Sequence, residues 1–154
     1  DRFCQLDETY GAMKATKELR QASAKIGAQR LTLVADLIPK RFLATLSEAR
    51  DGGRLVGHEV LVLGAQGAVM GMDKKQTLMM VIYHALAVLA NAIVKLVQIG
   101  QTRCQRILTD QLAQGESLIE CALSVAEEEI GWFAPFVDIA SARHETAYSR
   151  LFIS

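Results

Sequence analysis

Thr77–Gly100 reads TLMMVIYHALAVLANAIVKLVQIG, and past Thr77 its strongly polar side chains are His84, Asn91, Lys95 and Gln98. On an α-helix, at about 100° per residue, the steps of 7, 4 and 3 between them put all four on one narrow stripe, with apolar atoms over the rest of the circumference. A helix that apolar is expected to be buried, as the central rod of a helical domain wrapped by other helices, unless it meets lipid. The stretch is long enough to cross a bilayer. Lys95, His84 and Asn91 are costly at mid-membrane depth, however, and interfacial aromatics are few, so a core helix is expected over membrane association.

A length of 154 residues predicts one domain, 1–154, able to bury about two-thirds of the surface its unfolded chain exposes. Seventeen basic residues balance seventeen acidic ones, so no strong field recruits nucleic acid, and no nucleic-acid partner is expected. Cys4, Cys104 and Cys121 are odd in number and widely spaced, which fits neither a disulfide framework nor a zinc site. They read as reduced thiols of an intracellular, cytoplasmic protein. The first residue is Asp1 and no charged-then-apolar leader precedes it, so the expectation is a removed targeting segment or an excised domain.

The chain predicts an all-α fold, a bundle of six or seven helices around the central apolar helix. Residues 6–38 favour helix, Pro39 ends that run near Leu37 and opens a second helix, and Asp51-Gly52-Gly53 stops the second. Asp73 and Gln76 form a capping box that opens the apolar helix. Gly100 allows a bend, Arg103–Gln114 continues helically, Ser117 and Glu120 suggest a second box for Leu118–Ile130, and Asp138–Phe152 forms a last short helix. Arg54–Met72 is ambiguous. As a helix, its Gly57, Gly64, Gly67 and Gly71 permit close approach; as a strand, Glu59–Leu63 leads into a glycine-rich turn.

No side-chain set carries a decisive catalytic, cofactor or metal signature. Gly64-Ala65-Gln66-Gly67 after Val60–Leu63 resembles the turn that holds a pyrophosphate in dinucleotide-binding domains, but its spacing departs from that fingerprint and further parallel strands are missing. The His58-Glu59 pair resembles the phosphoacceptor of two-component signalling bundles; without the threonine-proline turn expected after it, His58 reads as a partly buried histidine. His84, Asn91 and Lys95 share a face that meets solvent or a neighbouring helix. Glu127-Glu128-Glu129 diverge by about 100° per step and cannot converge on one ion, and His144-Glu145 lacks the second histidine of a zinc helix.

Several short stretches, read in order, resemble the Bcl family of apoptosis regulators. Leu19–Ile26 is similar to that family's third homology region. Arg41-Phe42 with Arg50-Asp51-Gly52 and Gly53-Arg54-Leu55-Val56 are similar to its first, and Ile130-Gly131-Trp132 with Phe136-Val137 to its second. The resemblance implies a non-enzymatic interaction module that buries an amphipathic helix of a protein partner in an apolar groove. Arg54 would pair with an acidic residue of that helix, and Gly53, Leu55, Val56 and Trp132 would complete the partner-binding set. No cofactor or metal is expected. The alternatives are a dinucleotide-binding domain using residues 64–71, and a self-associating homo-oligomeric or designed helical bundle.

Overall fold

The computed structural model describes residues 2–148, and every regular element among them is helical. Eight α-helices follow in order: α1 Arg2–Met13, α2 Lys17–Leu37, α3 Arg41–Asp51, α4 Glu59–Val69, α5 Lys74–Leu96, α6 Gln101–Leu112, α7 Gly115–Ser124 and α8 Pro135–Glu145, with a single 3-10 turn at Glu127–Glu129. They divide into two compact units, one of described residues 2–70 and 131–148, the other Gly71–Ile130.

In the first unit the helical run expected over residues 6–38 is broken in two. Thr16 takes an extended conformation and caps α2, its hydroxyl accepting the Leu19 N–H at 3.4 Å, while the Arg20 guanidinium donates to the Lys14 and Ala15 carbonyls. The Gly52-Gly53 pair acts as expected, whereas Pro39 ends α2 but stands ahead of Lys40, the cap of α3, so that helix opens at Arg41 and not at Pro39. α2 ends at Leu37, and Gly53 turns left-handed at φ +70° so that the Arg54 N–H reaches back to the Ala49 carbonyl at 2.8 Å. α2 packs against α3 and α4. Leu31 and Val34 of α2, Leu43, Leu46 and Ala49 of α3, Leu55, and Val62 and Ala65 of α4 form one buried cluster, with Phe3 and Cys4 of α1 packed against it. Within each helix these positions recur three apart, the spacing that aims one face inward, and each large side chain contributes about 1.5–3 kcal/mol by leaving water. α8 packs on α2 without a buried residue; the Thr16 and Ser141 hydroxyls meet at 2.8 Å and His144 Nδ1 meets Glu18 Oε1 at 2.7 Å. The stretch 149–152, included in the last expected helix, lies outside the described residues.

The segment left open between helix and strand is helical. Glu59–Val69 is α4, with Val62, Leu63, Ala65 and Gly67 buried, so residues 64–67 form no phosphate-cradling turn between strand and helix. Gly71, at φ +74°, then closes the helix.

In the second unit the Asp73–Gln76 capping box forms in both directions: the Gln76 N–H donates to Asp73 Oδ1 at 2.8 Å and the Asp73 N–H to Gln76 Oε1 at 3.0 Å. α6 and α7 pack on α5, and Gly115 brings α7 so close that a Cβ there would stand 2.8 Å from Met79 Cε. Two helices of 12 and 10 residues cannot wrap one of 23, and α5 has no buried residue, against the expectation of an enclosed rod. By length and composition alone α5 would suffice to cross a membrane. α7 starts at Gly115, which places Ser117 inside the helix instead of at its cap, and Glu120 pairs with Lys75 at 3.8 Å.

Candidate partner-binding surface

Asp7 and Gly11 are four apart on α1, and Ser23 and Gly27 are four apart on α2, so each pair occupies one helix face. Both faces meet the segment that enters α4. Asp7, 1% exposed, accepts three successive backbone donors: Val56 N–H at 2.9 Å and Gly57 N–H at 3.0 Å on Oδ2, and His58 N–H at 2.8 Å on Oδ1. Ser23 Oγ accepts the next, from Glu59, at 3.3 Å. Four amides at a helix entrance, which would otherwise be orphaned, are thereby satisfied in sequence. The two glycines make room. A Cβ on Gly27 would lie 2.0 Å from the Gly57 carbonyl oxygen, and one on Gly11 would lie 2.7 Å from His58 Nε2.

His58 precedes α4 and is buried, its ring edge-on to Tyr10 at 5.6 Å between centroids; Lys14 Nζ sits 4.6 Å from the far ring's centroid. Burial pushes the imidazole pKa below its ordinary value; the Asp7 charge pulls it back up and Lys14 adds to the depression. No hydrogen-bond partner meets His58 Nδ1.

This joint fixes the display of the residues just before it. Gly53, Arg54 and Val56 are exposed, whereas Leu55 is 5% exposed and belongs to the core cluster. Leu55, which the resemblance placed in the partner-binding set, therefore packs chiefly into the core. Val56, half exposed, and Leu55 border an open groove of about 580 Å³ with Ala24, Lys25, Arg50 and Asp51 among its walls. Trp132 stands on a different element, just before α8. It is half exposed, its indole N–H donates to Asp138 Oδ1 at 3.4 Å, and Phe133 and Phe136 beside it are almost fully in solvent.

The remaining expected groups lie elsewhere. Asn91 and Lys95 line a cavity of about 190 Å³ between α5 and α6 with Gln101, Cys104 and Gln105, while His84, on the same stripe of α5, does not border it. Glu127–Glu129 are exposed, and among the described residues no three His, Cys, Asp or Glu side chains converge as a metal site. Asp7 and Ser23 were not singled out by sequence reasoning. Their one local signal is the pairing of a polar residue with glycine four positions on, and their partners lie 36 to 51 residues away.

A family model, UreF, matches residues 1–112. The chain is 31% identical over 155 residues to the urease accessory protein UreF of Haemophilus influenzae, covering 100% of this chain and 66% of that protein. It is 26% identical over 152 residues to the protein of the same name from an Arthrobacter species, covering 99% and 68%. It is 32% identical over 152 residues to urease accessory protein UreF 2 of Brucella anthropi, covering 99% and 64%. The chain thus spans about two thirds of the length of these relatives. These matches overturn the resemblance to the Bcl apoptosis regulators, with its apoptosis-type helix groove, and the dinucleotide-binding alternative. Those likenesses rested on stretches of a few residues each, and the family model runs continuously through Leu19–Ile26, Arg41–Val56 and Gly64–Gly71 alike. With matches at this length, the chain belongs to the UreF family.

Proposed function

We propose that this chain serves urease as an accessory protein, acting not by catalysis but by binding a protein partner in the cytoplasm. The observation that carries the reading is the continuous match of residues 1–112 to the family, together with relatives that are named urease accessory proteins. The non-enzymatic role, the protein partner and the cytoplasmic location expected from the sequence all agree with that family.

The partner surface we assign is the ledge of Gly53, Arg54 and Val56, which the Asp7 joint holds outward, with the aromatic patch at Trp132 as a second contact; an amphipathic helix is the element we expect the partner to present. Support comes from exposure without mobility of attachment: Arg54 and Val56 face solvent while the backbone of Val56 is tied to a buried carboxylate. The test is restoration of urease activity in a urease-positive bacterium deleted for its own UreF gene, by the protein carrying this chain. Restored activity is expected, and no restoration by a well-folded, expressed protein would overturn the role. Arg54→Glu with Val56→Asp, at unchanged thermal stability, should then abolish co-purification of urease components; full retention would move the contact off this ledge.

A further inference from the structure

The joint at the entrance of α4 contains one uncompensated atom. His58 is 3% exposed, and its Nδ1 is buried without a hydrogen-bond partner. A neutral imidazole tolerates this, because a ring nitrogen can stand as an unfilled acceptor. An imidazolium cannot, since both ring nitrogens then carry hydrogens that need acceptors and the charge needs solvation.

The groups packed on this joint come from four elements. α1 presents Asp7, Tyr10, Gly11 and Lys14, α2 presents Ser23 and Gly27, the α3 side chain of Arg50 lies against Gly57, and Glu59 follows on α4. Asp7 is the anion whose charge favours a proton on the ring, yet its oxygens are aimed at the amides of Val56, Gly57 and His58 and neither meets Nδ1. The Lys14 cation opposes a further positive charge, while the Arg50 guanidinium pairs with Asp51. To accommodate imidazolium, either the Asp7 carboxylate must shift from those amides toward Nδ1 or the ring must turn out to water. Both undo the joint.

We infer that His58 is a proton-operated latch: the neutral ring keeps the segment from Gly53 to Val56 and the first turn of α4 in place, and protonation releases them. The latch stands on its own geometry and does not depend on the function proposed above.

The test is amide exchange of the full protein followed by NMR from about pH 7.5 to about pH 4, corrected for intrinsic chemistry, alongside the His58 ring resonances assigned by single His→Gln variants. Protection at Val56, Gly57 and His58 should fall at least about tenfold with the same midpoint as the ring titration, while the α2 amides of Leu31 and Val34 hold. His58→Gln, which takes no proton, should abolish the step. Protection that stays constant through the ring titration, a midpoint that differs from it, or a step that survives in His58→Gln would each overturn the latch. Should His58→Gln fail to fold, coincidence of the two wild-type midpoints decides the matter.

Discussion

The Asp7 carboxylate accepts the backbone N–H of His58 at 2.8 Å across 51 residues of sequence, and that single side chain also holds Val56 and Gly57. Removing it strands three amide donors, of which those of Gly57 and His58 are closed to water and cost about 1–3 kcal/mol each. Asp7→Ala should therefore lower unfolding free energy by about 3 kcal/mol or more. Asp7→Asn should lower it nearly as far, because one carboxylate oxygen becomes an NH₂ that faces N–H donors. Urea unfolding of the two variants measures both, and a cost under about 1 kcal/mol for either would contradict the joint.

Two glycines on neighbouring helices should respond to the same substitution with opposite signs. A Cβ at Gly27 would stand 2.0 Å from the Gly57 oxygen, and backbone cannot swing aside as a side chain can. Gly27→Ala should cost about 3 kcal/mol as overpacking. Gly64, inside α4, has nothing within 4 Å of its would-be Cβ. Gly64→Ala should stabilise by about 0.5–1 kcal/mol through helix propensity alone. Thermal melts of the pair give the two signs directly.

What was legible in the sequence was local. Asp73 and Gln76 sit three apart and cap α5 as read, and Pro39 and Gly52-Gly53 end helices because their chemistry acts on their own backbone. The all-helical class followed from such signals. The break at Thr16 was missed since Ala15 to Glu18 contains no proline or glycine, only a capping hydroxyl. Non-local relations were not legible. Gly53–Val56 reads as one continuous patch in sequence, but the fold buries Leu55 in the core and leaves Arg54 and Val56 exposed. The Asp7 joint needs two helices and a loop brought together from distant parts of the chain.

Burial holds the folded-state pKa of His58 below its ordinary value of 6.5. Between those two values the unfolded chain binds more protons than the folded one, so stability rises with pH through that window. The contribution is full above about pH 6.5, shrinks as the pH falls below it, and levels off beneath the folded pKa. Urea midpoints recorded across this range should decline on the acid side in the wild type and decline less in His58→Gln. Equal slopes in both proteins would assign the acid sensitivity to other groups.

On α5, Leu89, Ile93 and Leu96 are spaced 4 and 3 apart on one stripe, and they are 59%, 42% and 59% exposed. A side chain already in water loses little when made polar, and leucine and glutamine have similar helix propensities. Leu89→Gln should therefore change stability by no more than about 0.5 kcal/mol, whereas Leu43→Ala, at a fully buried position, should cost about 2–5 kcal/mol. Comparing these two in dilute protein separates an open stripe from one that is covered in solution. A cost above about 2 kcal/mol for Leu89→Gln would mean that the stripe is buried against something the single folded chain does not supply. Repeating the melt at higher concentration would then identify that cover: a midpoint that climbs with protein concentration in the wild type, and not in the variant, makes it a second copy of the chain.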